Sequence, residues 1–438
     1  MTALSMRRVR EIPFLRALST RDFRLLWGSE AISVVGDQFH YIALSWFVIS
    51  LTGSGLALGS VLLAIAVPRA VLLVPFGVLA DRRPSRGLML VAHLVRGAVV
   101  GAIATLALTG MATLPLLALL GAIFGVADAL YLPAQQAFLP RTLEADRLPS
   151  GNALLQGTMQ LSSIVGPPIA GAAIAVTSTG FAFAVDAVSF LIAAVVIALI
   201  GTPTVGPRSA AAAEGSEESA KPEPFLAAIT SGIRYVLKDN ALRTTMLISL
   251  VLNFALNGPA SVGMPWLADQ RFDAGPAGLG FMAAALSAGA LAGVIVAGSI
   301  SPGRRGRSLL LAVVLIGIGA IGVGVLPSLA AVVIALALIG VAIGYANIVA
   351  ISWIQIRVEP SMMGRVMSLV MFMSVGITPL SLVISGWLVD VSATGLFVGA
   401  GVAILLTAVF AVAVRFVEQF DGTLGPGGEP TTAAGATG

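Results

Sequence analysis

An arginine-rich turn, GVLADRRPSRG at 77–87, lies pinned between two apolar runs, and the chain repeats it half a length later. A shift of roughly 221 positions lays Leu58-Gly59 on Leu279-Gly280 and Gly77 on Gly298. The same shift lays Arg83 on Arg304 and Arg86 on Arg307, inside GSISPGRRGRS at 298–308. A basic hairpin duplicated within apolar sequence requires two related, membrane-embedded halves. Secondary transporters are commonly built from such repeats, with the substrate path at the repeat interface.

Composition excludes the competing classes. The chain is 57% hydrophobic and 11% charged, too apolar for a soluble surface. A sequence pI of about 9.9 would suit a nucleic-acid partner. The arginines, however, sit in short loops between apolar spans and form no aromatic-laced basic face, so nucleic acid is rejected. There is no cysteine, which removes disulfides, thiolate nucleophiles and thiolate metal sites. No Gly-Lys pair exists, so ATP binding through GxxxxGK[ST] is excluded. GSGLALG at 53–59 falls in an external turn with no strand before it and is no dinucleotide loop. No cofactor, metal or enzymatic chemistry is expected. The first apolar run follows a long basic leader and is long enough to span, unlike a cleavable signal peptide.

A spanning helix needs about 20 apolar residues. Twelve such stretches are present, roughly 25–50, 57–80, 88–109, 114–138, 151–176, 181–201, 242–268, 277–300, 308–326, 329–353, 366–388 and 395–415. The expected fold is all-α and integral to the membrane, with two six-helix bundles related by a pseudo-twofold axis. Residues 1–24 form a leader, 25–201 the first bundle, 202–241 a linker, 242–415 the second bundle and 416–438 a tail. The linker (GPRSAAAAEGSEESAKPEP) and the tail from Asp421 carry the composition of mobile segments. Residues 225–240 read as a short amphipathic helix lying at the interface. Arg7, Arg8, Arg10, Arg16, Arg21 and Arg24 crowd the leader, and every second loop after it is basic. Alternate loops carry Arg271 as their only cation. Both termini and the linker are therefore expected on the cytoplasmic side of the cell membrane.

Ionisable groups in the bilayer core are costly and mark function by default. The first half holds Glu30, Asp37, His40, Arg69, His93, Arg96, Asp128 and Asp186; the second half holds none deep in a span. Trp27, Glu30, Val34, Asp37 and Tyr41 share one face of the first helix. Phe124, Asp128, Tyr131 and Gln135 do the same on the fourth, which Pro133 should kink. Ser249, Asn253 and Asn257 repeat the stripe on the seventh, which should break at Gly258-Pro259. Tyr345, Asn347 and Gln355 add neutral polarity. Such stripes are untenable against lipid and should line a water-accessible cavity.

Arg69 is expected to pair with Asp128 at similar depth. Asp37 has no obvious cation at its level, which makes it the expected proton carrier, with Glu30 two turns away as a relay. Hydrogen bonding between helices and direct contact with a cationic substrate are the other readings of Asp37. His40 and His93 read as packing residues or proton shuttles. Asp186 is expected near the outer end of the sixth helix, hydrated, and Arg96 is expected to snorkel towards the inner interface.

These residues resemble the major facilitator superfamily from about Ser19 to Arg415. The closest likeness is to its macrolide-efflux and enterobactin-exporter branch of drug:proton antiporters. The superfamily's loop signature is matched by Gly77, Asp81, Arg82 and Arg86, with Pro84 in place of the usual glycine. The branch likeness lies in RDFRLLWGSEAISVVGD (21–37), LPAQQAFLPR (132–141) and NIVAISWIQIRVEPSMMGRVMSL (347–369). The resemblance implies two bundles rocking about a cavity lined by helices 1, 4, 7 and 10. It also implies a latch in which Asp81 meets the start of helix 11 near Gly364-Arg365, where a carboxylate is favoured by the helix dipole and by arginine. The second copy has Pro302 there, so the latch should be one-sided. SSIVGPPIAG at 162–171 is similar to the superfamily's antiporter signature at Gly166, Pro167 and Gly171, and also fits ordinary packing by small residues.

The expected function is proton-coupled efflux of lipophilic drugs or antibiotics by alternating access, acting as a monomer. Candidate substrate contacts are Tyr41, Phe124, Tyr131, Gln135, Asn253, Asn257, Tyr345 and Asn347, with Trp46, Trp266, Met367, Met371 and Met373 as further apolar contacts or core. Export of a siderophore or other metabolite is the alternative, and a transport-inactive scaffold or sensor the different-class one.

Overall fold

The computed structural model describes residues 13–201, 225–299 and 305–422. Arg7, Arg8 and Arg10, the linker at 202–224, the centre of the second basic turn with Pro302 and Arg304, and the tail from 423 lie outside them. The described residues are helical, as lipid demands: without water, backbone groups must be satisfied within the segment.

The first six spans are α1 (Arg21–Thr52), α2 (Gly55–Arg82), α3 (Ser85–Thr109), α4 (Leu114–Thr142), α5 (Leu148–Val176) and α6 (Thr179–Ala198). They are followed by α7 (Asn240–Arg271), α8 (Gly275–Ser299), α9 (Arg305–Val325) and α10 (Leu329–Arg357). A run of 54 residues, Pro360–Ala413, completes the set. At 1.5 Å per residue it would reach about 80 Å, against about 30 Å of hydrocarbon, so it is two spans. It divides at Ser392, whose backbone is extended (φ −164°, ψ 107°). The Ser392 hydroxyl accepts the Gly395 N–H at 2.9 Å, capping the second piece. We call 360–391 α11, which bends at Ile377, and 393–413 α12. The short helices Pro13–Ser19, Phe225–Lys238 and Phe416–Phe420 lie outside the spans.

Local chemistry sets the ends. The Ser54, Ser178 and Ser328 hydroxyls cap α2, α6 and α10, and Asp239 accepts from the Ala241 and Leu242 amides at the start of α7. Gly53 and Gly110 end α1 and α3 in the left-handed conformation.

Two expectations change here. α7 does not break at Gly258-Pro259. It continues through two wider turns, Pro259–Gly263 and Leu267–Arg271. The reason is an outside partner: the Gly258 amide donates to the Ser381 hydroxyl at 2.8 Å, and Ser381 donates to the Phe254 carbonyl at 2.5 Å. The helix Phe225–Lys238 does not simply lie at an interface. The Tyr235 hydroxyl accepts the Glu359 amide at 3.4 Å, Gly232 faces the Arg365 backbone, and Val236 is buried.

Contacts divide the chain into two units, Met1–Ser219 with Asp273–Ala284, and Ala220–Phe272 with Ala285–Gly438. In unit 1, α2 packs on α4, α3 on α6, and α1 on α5 and α6. Unit 2 repeats the scheme: α8 on α10, α9 on α12, and α7 on α11. The start of α8 falls in unit 1 because Gly171 admits the Pro276 carbonyl and Gly280 the Pro167 carbonyl of α5. The tightest seam of unit 2 is a ladder. Gly289 and Gly293 of α8 face Ala337 and Val341 carbonyls, while Gly340 and Gly344 of α10 face those of Leu286 and Ala290. Small residues four apart on both helices bring backbones into contact, the packing available where lipid supplies no hydrophobic drive.

Replacing Gly344 by leucine forces a side chain into the Ala290 backbone. The expected loss is about 1–3 kcal/mol of stability in detergent unfolding. Gly157→Leu, at a helical site with open space around it, should stay within about 0.5 kcal/mol. Equal effects at both sites would contradict the ladder.

Candidate functional site

The deep ionisable residues gather inside unit 1, and the first of them meet in one line of charge. Arg69 on α2 donates from Nη1 to Asp128 Oδ2 on α4 at 3.1 Å. Arg96 on α3 reaches the other oxygen of Asp128 at 3.4 Å, and Asp37 Oδ1 on α1 at 3.0 Å, both from Nη2. Two guanidiniums thus alternate with two carboxylates across four helices. Arg96 is the inner member, its side chain 4% exposed, against 17% for Asp128, 35% for Asp37 and 49% for Arg69. Three rings surround it: its Cζ lies 4.3 Å from the Phe190 ring centre, 5.1 Å from Tyr131 and 5.3 Å from Phe124. Aromatic faces add attraction for a desolvated cation.

A second buried pair adjoins the first. His40 Nδ1 stands 3.3 Å from Asp186 Oδ2, and Asp186 is fully buried. His40 stacks on Phe124 with centroids 4.8 Å apart. The Ser189 hydroxyl donates to the Asp186 carbonyl at 2.8 Å. Gly36 on α1 makes this meeting possible, since a Cβ there would strike Ser189 and Asp186 of α6. Gly97 similarly seats α3 against Ala187 and Phe190, which places Arg96 beneath the Phe190 ring.

Several sequence expectations are corrected by this geometry. Asp37 has a cation at its own level, Arg96. Arg96 does not snorkel: it lies 11 residues into α3, about 16 Å from its start, and its guanidinium is buried on Asp37 and Asp128. Asp186 is not hydrated but sealed against α1. Phe124 and Tyr131, expected on a cavity wall, are 8% exposed and packed on Arg96. The pairing of Arg69 with Asp128 is as expected.

The remaining residues fall as follows. Glu30 is buried, with Gln135 of α4 as its hydrogen-bonding neighbour. Trp27 donates to the Thr158 hydroxyl of α5 at 2.9 Å, and Tyr41 and Trp46 are half-buried. At the end of α2, Gly77 has open space at its Cα, while Asp81 and Arg82 are exposed. Arg86 donates to the Ile197 and Ala198 carbonyls at 3.2 and 2.5 Å, closing the C-terminus of α6. Gly166 lets α5 approach Gln38 of α1, beside the Pro167 and Gly171 contacts described above.

In unit 2, Arg365 donates to Met362 Sδ at 3.4 Å on the first turns of α11. Asn253 and Asn257 each donate to the carbonyl four residues back at 2.8 Å. Tyr345 donates to the Ser308 hydroxyl at 2.8 Å, and Asn347 and Met371 are exposed. Trp266, Met367 and Met373 are half-buried. Among the described residues, charged side chains of unit 2 stand at or near helix ends. Its interior holds an apolar cavity of about 40 Å³ beside Leu256, Met264, Ile339 and Phe397.

Residues 26–382 match the Major Facilitator Superfamily. Macrolide efflux protein A of Streptococcus pyogenes is 22% identical over 405 residues, covering 91% of this chain and 97% of its own. Multidrug efflux pump Tap of Mycolicibacterium fortuitum is 27% identical over 400 residues, covering 88% and 94%. Among solved structures, the nucleoside transporter NupG superposes with a TM-score of 0.68 at 12% identity, covering 90% of this chain and 99% of its own. A bacterial homologue of the iron transporter ferroportin reaches 0.69 at 13% identity, covering 92% and 99%. At such identities the structures speak for the fold alone.

The line of charge makes a graded prediction for stability. Removing Arg96 (Arg96→Gln) leaves Asp37 without its cation and should cost about 3–5 kcal/mol. Removing the half-exposed Arg69 (Arg69→Gln) should cost about 1 kcal/mol or less. Unfolding of the purified variants checks the order, and a reversed order would contradict the placement of Arg96 as the inner member.

Proposed function

Because this chain belongs to the major facilitator superfamily, we propose that it is a proton-coupled exporter of lipophilic drugs or antibiotics, working by alternating access. That it is a multi-pass membrane transporter of a small molecule, and not an enzyme, follows from the family. Efflux and the lipophilic class are supported by relatives that carry the names macrolide efflux protein and multidrug efflux pump and align over nearly their whole lengths. The monomer, the cell membrane as its place and cytoplasmic termini complete the proposal.

One observation carries the coupling: Arg96 has two carboxylate partners. An arginine sealed in a low-dielectric interior cannot be left without a counter-charge. With two partners it can lose one. Asp37 is the one to lose, since it is about a third exposed and holds a single arginine, whereas Asp128 is gripped by both Arg69 and Arg96. A proton arriving on Asp37 breaks the α1–α3 tie while Arg96 keeps Asp128. Its departure restores the tie. The proton thereby acts on helix packing, which a transporter requires of its driving ion. Glu30, two turns along the same helix, serves as the relay.

Asp81, Arg82 and Arg365 form the proposed inner latch, with Gly77 on the last turns of α2. Arg86 contributes by holding the α2–α3 turn to the end of α6. Gly166, Pro167 and Gly171 serve the antiporter as the close-packed stretch of α5. Tyr41, Gln135, Asn253, Asn257 and Asn347 keep exposed or half-buried polar or aromatic surface for substrate, and Tyr345 is engaged by Ser308.

Uptake of a radiolabelled macrolide into everted vesicles under an imposed proton gradient tests the reading. Wild-type protein should accumulate label, and Asp37→Asn should lose about tenfold or more of the gradient-driven component. Full gradient-driven uptake by Asp37→Asn would refute the coupling. For the latch, Asp81→Ala should raise the reactivity of single cysteines introduced at the inner ends of the helices about threefold or more. Unchanged reactivity together with unchanged transport would remove Asp81 from the gate.

A further inference from the structure

We propose that Glu30, His93, Arg96 and Tyr131 enclose an internal water site in unit 1, and that its water bridges Glu30 to the Arg96 guanidinium. Five buried polar atoms lie there without a hydrogen-bond partner. They are Oε1 of Glu30 on α1, Nδ1 and Nε2 of His93 and Nε of Arg96 on α3, and the hydroxyl of Tyr131 on α4. The four residues are 5, 0, 4 and 8% exposed, so bulk solvent does not satisfy them. Burying a donor or acceptor unpaired is penalised, and native interiors nearly always supply a partner.

The atoms belong to one neighbourhood. The His93 and Tyr131 rings meet edge to face with centroids 4.6 Å apart, and the Arg96 Cζ is 5.1 Å from the Tyr131 ring centre. Gln135, one turn beyond Tyr131, is the hydrogen-bonding neighbour of Glu30, and Glu30 lies within electrostatic reach of Arg96. Arg96 Nη2 is taken by Asp37 and Asp128, while Nε has no partner.

The chemistry selects the ligand. Arg96 Nε–H, the Tyr131 hydroxyl and one His93 N–H donate; Glu30 Oε1 and the other His93 nitrogen accept. None of these bonds to another, so the occupant must both donate and accept. A metal cation would face Arg96, and an anion would face Glu30. Water meets both demands, and buried water characteristically takes two to four such partners. The site also explains how a proton could pass between Glu30 and the Asp37–Arg96 pair, which are two turns apart on α1. That role rests on the proton coupling proposed above; the presence of the water does not.

X-ray radiolysis of the full-length protein in lipid nanodiscs, with no substrate added, tests the site directly. Hydroxyl radicals formed from bound water oxidise the side chains that hold it, and mass spectrometry reads the rate. Tyr131 and His93 should label about tenfold or more faster than the buried residues Met264 and Met282, which lie apart from the unpartnered polar atoms. Labelling of Tyr131 and His93 at the rate of Met282 would overturn the site. A Glu30→Leu, His93→Leu double variant should bring Tyr131 down to the Met282 rate, and persistence of fast Tyr131 labelling in a folded double variant would also overturn it. If that variant does not fold, the wild-type comparison decides. Neither readout involves transport, so a failed Asp37→Asn transport test leaves this result standing, and the reverse.

Discussion

A guanidinium buried midway along a spanning helix dictates the arrangement of unit 1. Arg96 is 4% exposed and cannot be discharged, so the helices around α3 must bring it negative charge and π-faces. They do so from three sides: Asp37 from α1, Asp128 from α4 and the rings of Phe124, Tyr131 and Phe190 from α4 and α6. Gly36 and Gly97 follow from the same need, because they let α1 and α3 close on α6. Asp128 in turn draws Arg69 from α2. Helix packing, polar satisfaction and charge balance are one problem here, with one solution.

The two units solve the problem of cohesion in lipid differently on a shared plan. Their helices pair in the same order, as the duplicated hairpin implies. Unit 1 adds ion pairs and buried polar groups to glycine contacts such as Gly36, Gly97 and Gly125. Unit 2 joins α8 to α10 through interleaved glycines and carbonyls, and its interior cavity is apolar. Ion pairs can be switched by a proton, whereas a glycine ladder cannot. This asymmetry supports the proposal that the response to protons belongs to unit 1.

Much of the fold was legible because membrane spans are long and uniform, and the arginine turns recur at one offset. The Arg69–Asp128 pair was legible too, since residues of opposite charge at equal depth have no better partner. Arg96 was misread through its depth. Counted from the start of α3 at Ser85, it lies about 16 Å in, close to the middle of the helix. Asp186 was misread because its partner, His40, is on α1, and no periodicity along one helix reports which face another helix covers. The continuity of α7 past Pro259 depends on Ser381, more than a hundred residues away. The docking of Phe225–Lys238 depends on Gly232 and Tyr235 meeting α11 and the turn before it. Such tertiary partners override local signals.

The central claim is that Asp37, and not Asp128, changes its protonation state while Arg96 keeps a carboxylate. Infrared difference spectroscopy on the reconstituted protein, between acidic and alkaline buffer, reads carboxyl protonation directly. The protonated-carboxyl band formed in acidic buffer should lose intensity in Asp37→Asn, and in Asp128→Asn, where Arg96 keeps Asp37 as its last carboxylate, it should form only at lower pH. A band untouched by Asp37→Asn, or one that forms as readily in Asp128→Asn as in the wild type, would contradict the claim.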